Sequence, residues 1–549
     1  MFSSVRFGTG RLAPCRYLIS KHVLRHTIAV AFIRQKDVSE MKSLQLVAML
    51  LLMLTGANEM AAQDLTGSSA VQNEVLILHG KQLFIDDYVI ANLKGVRKVL
   101  NQPVKHPRNP ILRKHKREYA ITYGAVVWDP KNSLYKLWYQ IWSDPRDSIG
   151  TAGYAVSKDG IEWERPVTDK AAGTNLAIFE PKEPWVGAPG VIIDTRESDP
   201  QRRYKMMYLA KPTLKGESLR SCAAFSADGI HWKQEPTNPV APYSDTQIAP
   251  YWDARLGRYV AYCRTGPPNV RNIARIESED FVNWSPKVRV LQMSNLDKPY
   301  STNLYTMTAM PYAGVYIGLV NTYHGETIST IPDDKPWMDR CDAQLVFSRN
   351  GVTWHRVLHD GAITAAQLRE KRDWKKEADD AVFLPYGEFK MEWDWGQIYP
   401  HHPPLVVGDE IRFYYTGISG RHWATYHKDT PDHAVGLATL RLDGFVSVET
   451  DDEGTLTTNS LMFLGDTLVV NANASGGAIT VEALDADGKV IHRFSRSNCT
   501  PITSDSVRHV VSWSDKSDCR PLQGRPIKLR FHLKRAKLYS FEPATRQNP

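Results

Sequence analysis

The sequence predicts an all-β chain: a five-bladed β-propeller followed by a C-terminal β-sandwich. Three observations carry this. "SKDGIEW" (Ser157–Trp163), "SADGIHW" (Ser226–Trp232) and "SRNGVTW" (Ser348–Trp354) repeat Ser-x-Asp/Asn-Gly-x-x-Trp at long intervals. Each copy follows the same order of strand-like runs. From about residue 451 that pattern gives way to long, cleanly alternating stretches.

The 549 residues are 42% hydrophobic and include 15 Trp and 24 Tyr. That is enough for one large core or two smaller ones, with the aromatic enrichment typical of strands. The formal charge of +8 is dispersed. Its densest run, "KHPRNPILRKHKR" (Lys105–Arg117), has no interleaved aromatics and reads as a solvated loop, so no nucleic-acid partner is expected.

At the N-terminus, "MKSLQLVAMLLLMLTGANEMAAQ" (Met41–Gln63) has one Lys, an apolar run and small residues near Ala61 and Ala62. This is the layout of a secretory signal peptide over residues 41–62, too short to span a bilayer. Residues 1–40 then read as an upstream extension from a misassigned start. The expected product is secreted or periplasmic, with no membrane span. Six cysteines are few for an exported chain this long. Cys222, Cys263 and Cys341 sit in strand-like runs and read as buried thiols, whereas Cys499 and Cys519 are close enough in sequence to pair. No Cys/His spacing suggests zinc, and no cofactor is expected.

The propeller is expected over residues 75–450. An apolar strand ends in Asp ("VVWDP", "VIIDTRESDP", "PYWDARLG"), and a Tyr-containing strand follows ("LYKLWY", "RYKMMY", "RYVAYC"). After a third strand comes the Asp-Gly turn. "SEDFVNW" (Ser278–Trp284) closes a further copy without Gly, and "RLDGFVSV" (Arg441–Val448) a divergent last one. Five units at intervals of roughly 50–90 residues make five blades. In this frame Asp159, Asp228, Asn350 and Asp443 form turns, as do Asp129, Asp194 and Asp253 at the ends of first strands. The Trp packs between blades. Only Ala365–Ala381 reads as helical. Residues 451–545, with Gly-Asp and Asp-Gly turns, read as the sandwich, with Leu461–Asn471 and Ile527–Phe541 as core strands.

The Ser-x-Asp-Gly-x-x-Trp turns, "NPIL" (Asn109–Leu112) and "YYTG" (Tyr414–Gly417) resemble the secreted glycoside hydrolases of the five-bladed propeller superfamily, families 32, 68, 43, 62, 117 and 130. A propeller followed by a sandwich is most similar to family 32. The chain departs from that family in lacking its Trp-Met-Asn-Asp-Pro-Asn-Gly stretch. "FIDDYVI" (Phe84–Ile90) stands near the expected place, "DPRDS" (Asp144–Ser148) has the order altered, and "YCRTG" (Tyr262–Gly266) has no Glu before its Cys.

The resemblance implies a carbohydrate substrate and acids converging on the central channel. Residues at the starts of first strands are the candidates: Glu118, Asp245 and Asp394 as catalytic carboxylates, with Glu392 able to substitute for Asp394. Cleavage needs one protonated carboxyl to donate to the leaving oxygen and one ionised carboxylate to attack or activate water. Blade two offers no acid, and blade four offers Asn303 and Tyr305. Asp87 (or Asp86), Asn109, Arg264, Tyr305, Trp393, His401 and His402 complete the expected substrate contacts. A sialidase-like clamp would need Arg264, Arg271 and Arg275 to converge. A phosphorylase would use basic residues for phosphate, and a non-catalytic carbohydrate-binding propeller would keep the binding contacts alone.

Overall fold

Each Ser-x-Asp/Asn-Gly-x-x-Trp stretch folds into the same turn, and the turn's hydrogen bonds explain its residue types. The computed structural model describes residues 75–77, 80–142, 150–211, 218–267, 270–325, 334–422 and 431–545. In it Ser157 Oγ accepts the Gly160 amide, and Asp159 Oδ1 accepts those of Ile161 and Glu162, all at 2.8 Å. Ser226 with Asp228, and Ser348 with Asn350, repeat these bonds. Gly160, Gly229 and Gly351 have φ of 76°, 84° and 72°, a region that side chains disfavour. In the divergent copy Phe281 takes this position at φ 68°.

The turns also tie neighbouring repeats together. Trp138 Nε1 donates to Gly229 O at 2.7 Å, Tyr262 OH to Gly351 O at 2.9 Å, and Tyr414 OH to Gly160 O at 2.9 Å. Each donor stands on the second strand of one repeat and each acceptor in the turn of the next. The last bond joins the fifth repeat to the first. The turn tryptophans pack at the same joints: Trp232 on Trp138, Trp354 on Tyr262 and Trp163 on Tyr414. A second series runs alongside. Asp129 accepts Tyr204 OH, Asp194 accepts Tyr259 OH and Asp253 accepts Tyr316 OH.

One pair of substitutions separates the two demands on these glycines. A Cβ on Gly229 would lie 2.7 Å from the Trp138 ring, whereas Gly257, at φ 66°, has nothing within 4 Å. Gly257→Ala is expected to destabilise by about 1 kcal/mol through backbone strain alone. Gly229→Ala is expected to lose about 1–3 kcal/mol more by overpacking the joint. Denaturant unfolding of both variants measures the difference, and equal losses would show that the joint yields freely.

The repeats follow in chain order. Ala120–Asp129, Leu134–Trp142 and Gly150–Ser157 form the first antiparallel sheet. Gly187–Ile193, Tyr204–Ala210, Arg220–Ser226 and His231–Gln234 form the second. The third contains Ala249–Asp253, Arg258–Thr265, Asn272–Ser278 and Val288–Leu291. The fourth contains Asn303–Tyr312, Val315–His324, Arg340–Ser348 and His355–Leu358. In the fifth, Gln397–Pro400, Glu410–Ile418 and His433–Arg441 are completed by Val104–Lys105 and Leu112–Arg113 from the chain's beginning. The first strands of repeats one to four pack in sequence, and Gln397–Pro400 packs on both the fourth repeat and Ala120–Asp129. Val126 N to His402 O, at 2.9 Å, and His402 N to Gly124 O, at 3.0 Å, close the circuit.

The last repeat differs from the expected one. Arg441–Val448 leads out of it: Val446–Thr458 pairs with Pro526–Ala544 in a C-terminal sheet, which also takes in Thr467–Asn473 and Ala478–Leu484. Leu76–Ile77, Gln82–Leu83, Ile90–Lys94 and Arg97–Leu100 pair with this sheet too. These four strands therefore pair C-terminally, although the expected propeller began at residue 75. Phe84 and Val89 are buried in the same core as Val470, Phe531 and Phe541.

Within Ala365–Ala381 the structure has a 3-10 turn at Gln367–Arg369 and a helix at Trp374–Asp380. The described chain is nearly all β. Cys222, Cys263, Cys341, Cys499 and Cys519 are buried and none is in a disulfide, so the pairing considered for Cys499 and Cys519 is not formed. The leader of residues 41–62 and the extension before it lie outside the described residues. Among the described residues no helix is long and apolar enough to cross a membrane.

Candidate active site

Two polar side chains bridge the first strands where they meet. Gln247 Nε2 donates to Gly124 O at 2.9 Å and Pro189 O at 2.7 Å, while its main-chain carbonyl accepts Thr306 Oγ1 at 3.1 Å. One residue thereby links four repeats. His402 Nε2 meets Pro250 O, which can only accept, so this nitrogen carries the proton. Its Nδ1 then accepts Thr308 Oγ1 at 2.8 Å. Burial holds the His402 ring neutral, its pKa lowered to about 4. His401 meets Thr416 Oγ1 at 2.8 Å and fills the space beside Gly124, where a Cβ would lie 2.6 Å from the ring. Burial lowers its pKa to about 3.

His401 and His402 are 2% and 0% exposed, which corrects the expectation that they contact substrate. They follow the strand Gln397–Pro400 into the packed centre. They close the ring of repeats.

Next to these bridges the fold gathers an aromatic cluster. Tyr123, Trp185, Tyr305, Tyr323 and Tyr399 form one buried group with Ala188 and Cys341. Tyr123 and Tyr399 lie 5.2 Å apart, Tyr305 and Tyr323 6.1 Å, and Tyr305 and Tyr399 6.3 Å. Three of the members stand at β-bulges in first strands. Register shifts between Thr122 and Gly124, between Gly187 and Gly190, and between Leu304 and Thr306 place Tyr123, Ala188 and Tyr305 out of the ladder. A bulge re-aims its side chain.

Charged groups converge on the same rings. The Arg264 guanidinium lies 5.0 Å from the centre of Tyr305 and forms an ion pair with Asp245. Arg271 lies 5.6 Å from Tyr305 and 5.8 Å from Tyr323. His422 Nε2 is 3.2 Å from Tyr305 OH. Burial first, then Arg271 and Arg264, lower the His422 pKa to about 3. Tyr323 OH donates to Asp339 Oδ1 at 2.7 Å. The Asp245 side chain is 32% exposed, whereas Asp339 is fully buried.

Of the expected residues, then, the structure brings together Asp245, Arg264 and Tyr305. Glu118 is elsewhere: it accepts Tyr139 OH at 3.0 Å and lies 3.6 Å from Arg165. Asp394 accepts Lys105 Nζ at 2.7 Å and Tyr415 OH at 2.9 Å, and is 1% exposed. Trp393 stacks on Tyr415 against the core between repeats four and five. The expected convergence of Glu118, Asp245 and Asp394 is therefore not seen in their contacts, since each has its own cation and no partner is shared. Asn109 braces a strand by bonding both backbone groups of Leu437, at 2.8 and 2.9 Å. Asp87 pairs with Lys98, and Asp86 with Arg349. Arg275 is taken by Glu277 at 3.0 Å, so two of the three arginines considered for a clamp meet.

Tyr123, Tyr323, Tyr399 and His422 were not among the expected site residues, and Arg271 was considered only for a sialidase-like clamp. The available signal was an aromatic beside Gly or a polar residue within a first strand, as in "TYGA" and "NLYT". Elsewhere, a groove of about 480 Å³ lined by Asp409, Glu410, Arg441 and Asp505 lies where the fifth repeat meets the C-terminal sheet. Arg441 is already paired there with Asp505.

The chain matches no protein-family model and no curated protein. Among solved structures it is similar to an N-acetylgalactosamine deacetylase from F. plautii in complex with blood group B trisaccharide. That match has 13% identity and a TM-score of 0.42, covering 64% of this chain and 96% of that one. It is also similar to a structure from the GH130 family of mannoside phosphorylases, which contains glycoside hydrolases that target β-1,2-mannosidic linkages in Candida mannan. Here identity is 14% and TM-score 0.39, over 62% of this chain and 94% of that one. A glycosyl hydrolase from Bacteroides ovatus gives the same four values.

Proposed function

We propose that the five repeats form a five-bladed β-propeller joined to a β-sandwich, and that the protein is a secreted glycoside hydrolase acting on a polysaccharide or oligosaccharide. The observation that carries this reading is the grouping of Asp245, Arg264 and Tyr305 among rings from four repeats. Aromatic walls with a few placed charges are the usual make-up of a small-molecule site. Glycosidic cleavage takes place between carboxyl groups. Asp245 is the partly exposed carboxylate of this cluster. Its pairing with a guanidinium suits the role that needs an anion, attack on the anomeric carbon or activation of water. Asp339, bonded to Tyr323, is the cluster's other carboxyl group and takes the place expected for Glu118 or Asp394.

Phosphorolysis is the second reading, favoured by two arginines beside one partly exposed carboxylate. There phosphate would be the nucleophile and a carboxylic acid would protonate the leaving oxygen.

Digestion of a glycan panel by the full chain, with and without phosphate, separates the two. Hydrolysis predicts phosphate-independent turnover, and product stereochemistry then gives retention or inversion. Asp245→Asn is expected to lower kcat at least about 10³-fold with binding largely retained. Binding without cleavage of any glycan, unchanged in Asp245→Asn, would leave a carbohydrate-binding propeller instead.

A further inference from the structure

Arg264 and Arg271 stand at the connected end of one hairpin, where Arg264 faces Ile273 and Thr265 faces Asn272 across the ladder. Both guanidinium groups lie over Tyr305. The Arg264 side chain is 10% exposed. Although Asp245 holds one of its nitrogens, Nη1 is buried without an acceptor. Arg271 is emptier. Its Nε and Nη1 are buried without acceptors, and among the described residues no carboxylate is ion-paired with it.

Tyr323 gives its hydroxyl to Asp339. His422 Nε2 is bonded to Tyr305 OH, and the ring is held neutral by burial and by the two arginines. Buried N–H groups in native proteins are almost always satisfied, and a guanidinium keeps its charge. Three unsatisfied nitrogens on adjacent arginines, beside an aromatic cluster, mark a place completed by an anion. Arginine pairs are suited to planar or tetrahedral oxyanions.

We propose that Arg271, with Nη1 of Arg264, receives an oxyanion carried on a sugar ring, a uronate carboxylate or a sulfate ester, so that this site takes acidic glycans. The inference rests on the glycan reading above and narrows it. It gives Asp245 a second duty: by holding one face of Arg264, it fixes the guanidinium while Nη1 stays open to the ligand.

The test is calorimetric binding to the full chain of uronate-containing oligosaccharides, each paired with its carboxyl-reduced counterpart. A sulfated oligosaccharide with its desulfated form, and inorganic phosphate alone, complete the set. At least one acidic member is expected to bind tenfold or more tightly than its neutral partner, and whether it carries carboxylate or sulfate identifies the oxyanion. Arg271→Gln is expected to abolish that preference with an unchanged melting temperature, and Arg271→Lys to restore part of it. Equal binding of neutral and acidic partners would overturn the proposal while leaving the glycan reading intact. So would an acid preference that survives in Arg271→Gln, or phosphate binding that drives turnover. Binding of no panel member would overturn both.

Discussion

Unfolding at pH 5 is expected to reveal a protein that has lost on the order of 8 kcal/mol of its stability at pH 7. Four imidazoles carry this prediction. His401, His402 and His433 are buried and His422 is half-buried, and desolvation, joined at His422 by Arg271 and Arg264, lowers their pKa values to about 3, 4, 3 and 3 in the order His401, His402, His422 and His433. Each ring bonds a neutral group: Thr416 for His401, Thr308 and Pro250 O for His402, Tyr305 for His422 and Ile121 O for His433, and the arginines near His422 lower its pKa further. In the unfolded chain each titrates near pH 6.5. Because the folded values lie below the unfolded one, the unfolded state binds more protons as the pH falls. The stabilising contribution is thus complete above about pH 6.5 and drains away toward the folded pKa values. Between pH 7 and pH 5 each ring forfeits about 2 kcal/mol. The sum rivals the entire stability of many proteins, about 5–15 kcal/mol. Denaturant titrations at pH 7, 6 and 5 measure it, and the slope near pH 5 should correspond to about four protons taken up on unfolding. A slope of less than one proton would mean that these rings are open to water or charged in the native state.

The same histidines show where the sequence was readable and where it was not. The Ser157, Ser226 and Ser348 turns were legible because every bond that makes them spans two or three residues. The Asp-ending strands were legible for the same reason, since Asp129 binds the Lys131 amide and the Asn132 side chain. Their second duty was hidden. Asp129 meets Tyr204, 75 residues away, and nothing local announces that.

The fifth repeat failed as a local reading because its last strand comes from residues 104–113. Asp394 failed with it, since Lys105 arrives on that same strand from 289 positions away. Choosing acids at strand starts gives position along the chain but not side-chain direction. Glu118 turns back onto Tyr139, whereas Asp245 reaches Arg264. Arg271 was considered only for a clamp with Arg264 and Arg275, and its place beside Tyr305, like that of His422, follows only from knowing which repeats meet there; the bulges that aim Tyr123 and Tyr305 depend on register with a partner strand.

The hidden duty of Asp129 makes it the position where one substitution should do most harm to the fold. Its carboxylate is fully buried and accepts from Arg203 and Tyr204, with Lys136 Nζ at 3.1 Å. Desolvation opposes the charged form, but these hydrogen bonds outweigh it and hold the carboxyl well below its ordinary range. Asp129→Ala strands Lys136, only 4% exposed, at the joint between the first and second repeats. Removing one partner of a buried ion pair typically costs about 3–5 kcal/mol, because the remaining charge has no compensation. Asp129→Asn keeps the shape and some bonds but not the charge, and should fall between wild type and Ala. Tyr204→Phe removes only the hydroxyl and is expected to lose about 1–2 kcal/mol. The pH dependence separates this joint from the histidines. A depressed carboxyl stabilises above its unfolded pKa near 4 and loses that contribution only as the pH falls below it. Wild type and Asp129→Asn should therefore differ by a constant amount from pH 7 to pH 5 and approach each other in stronger acid. A gap that already closes between pH 7 and pH 5 would place the charge of this joint on some other group.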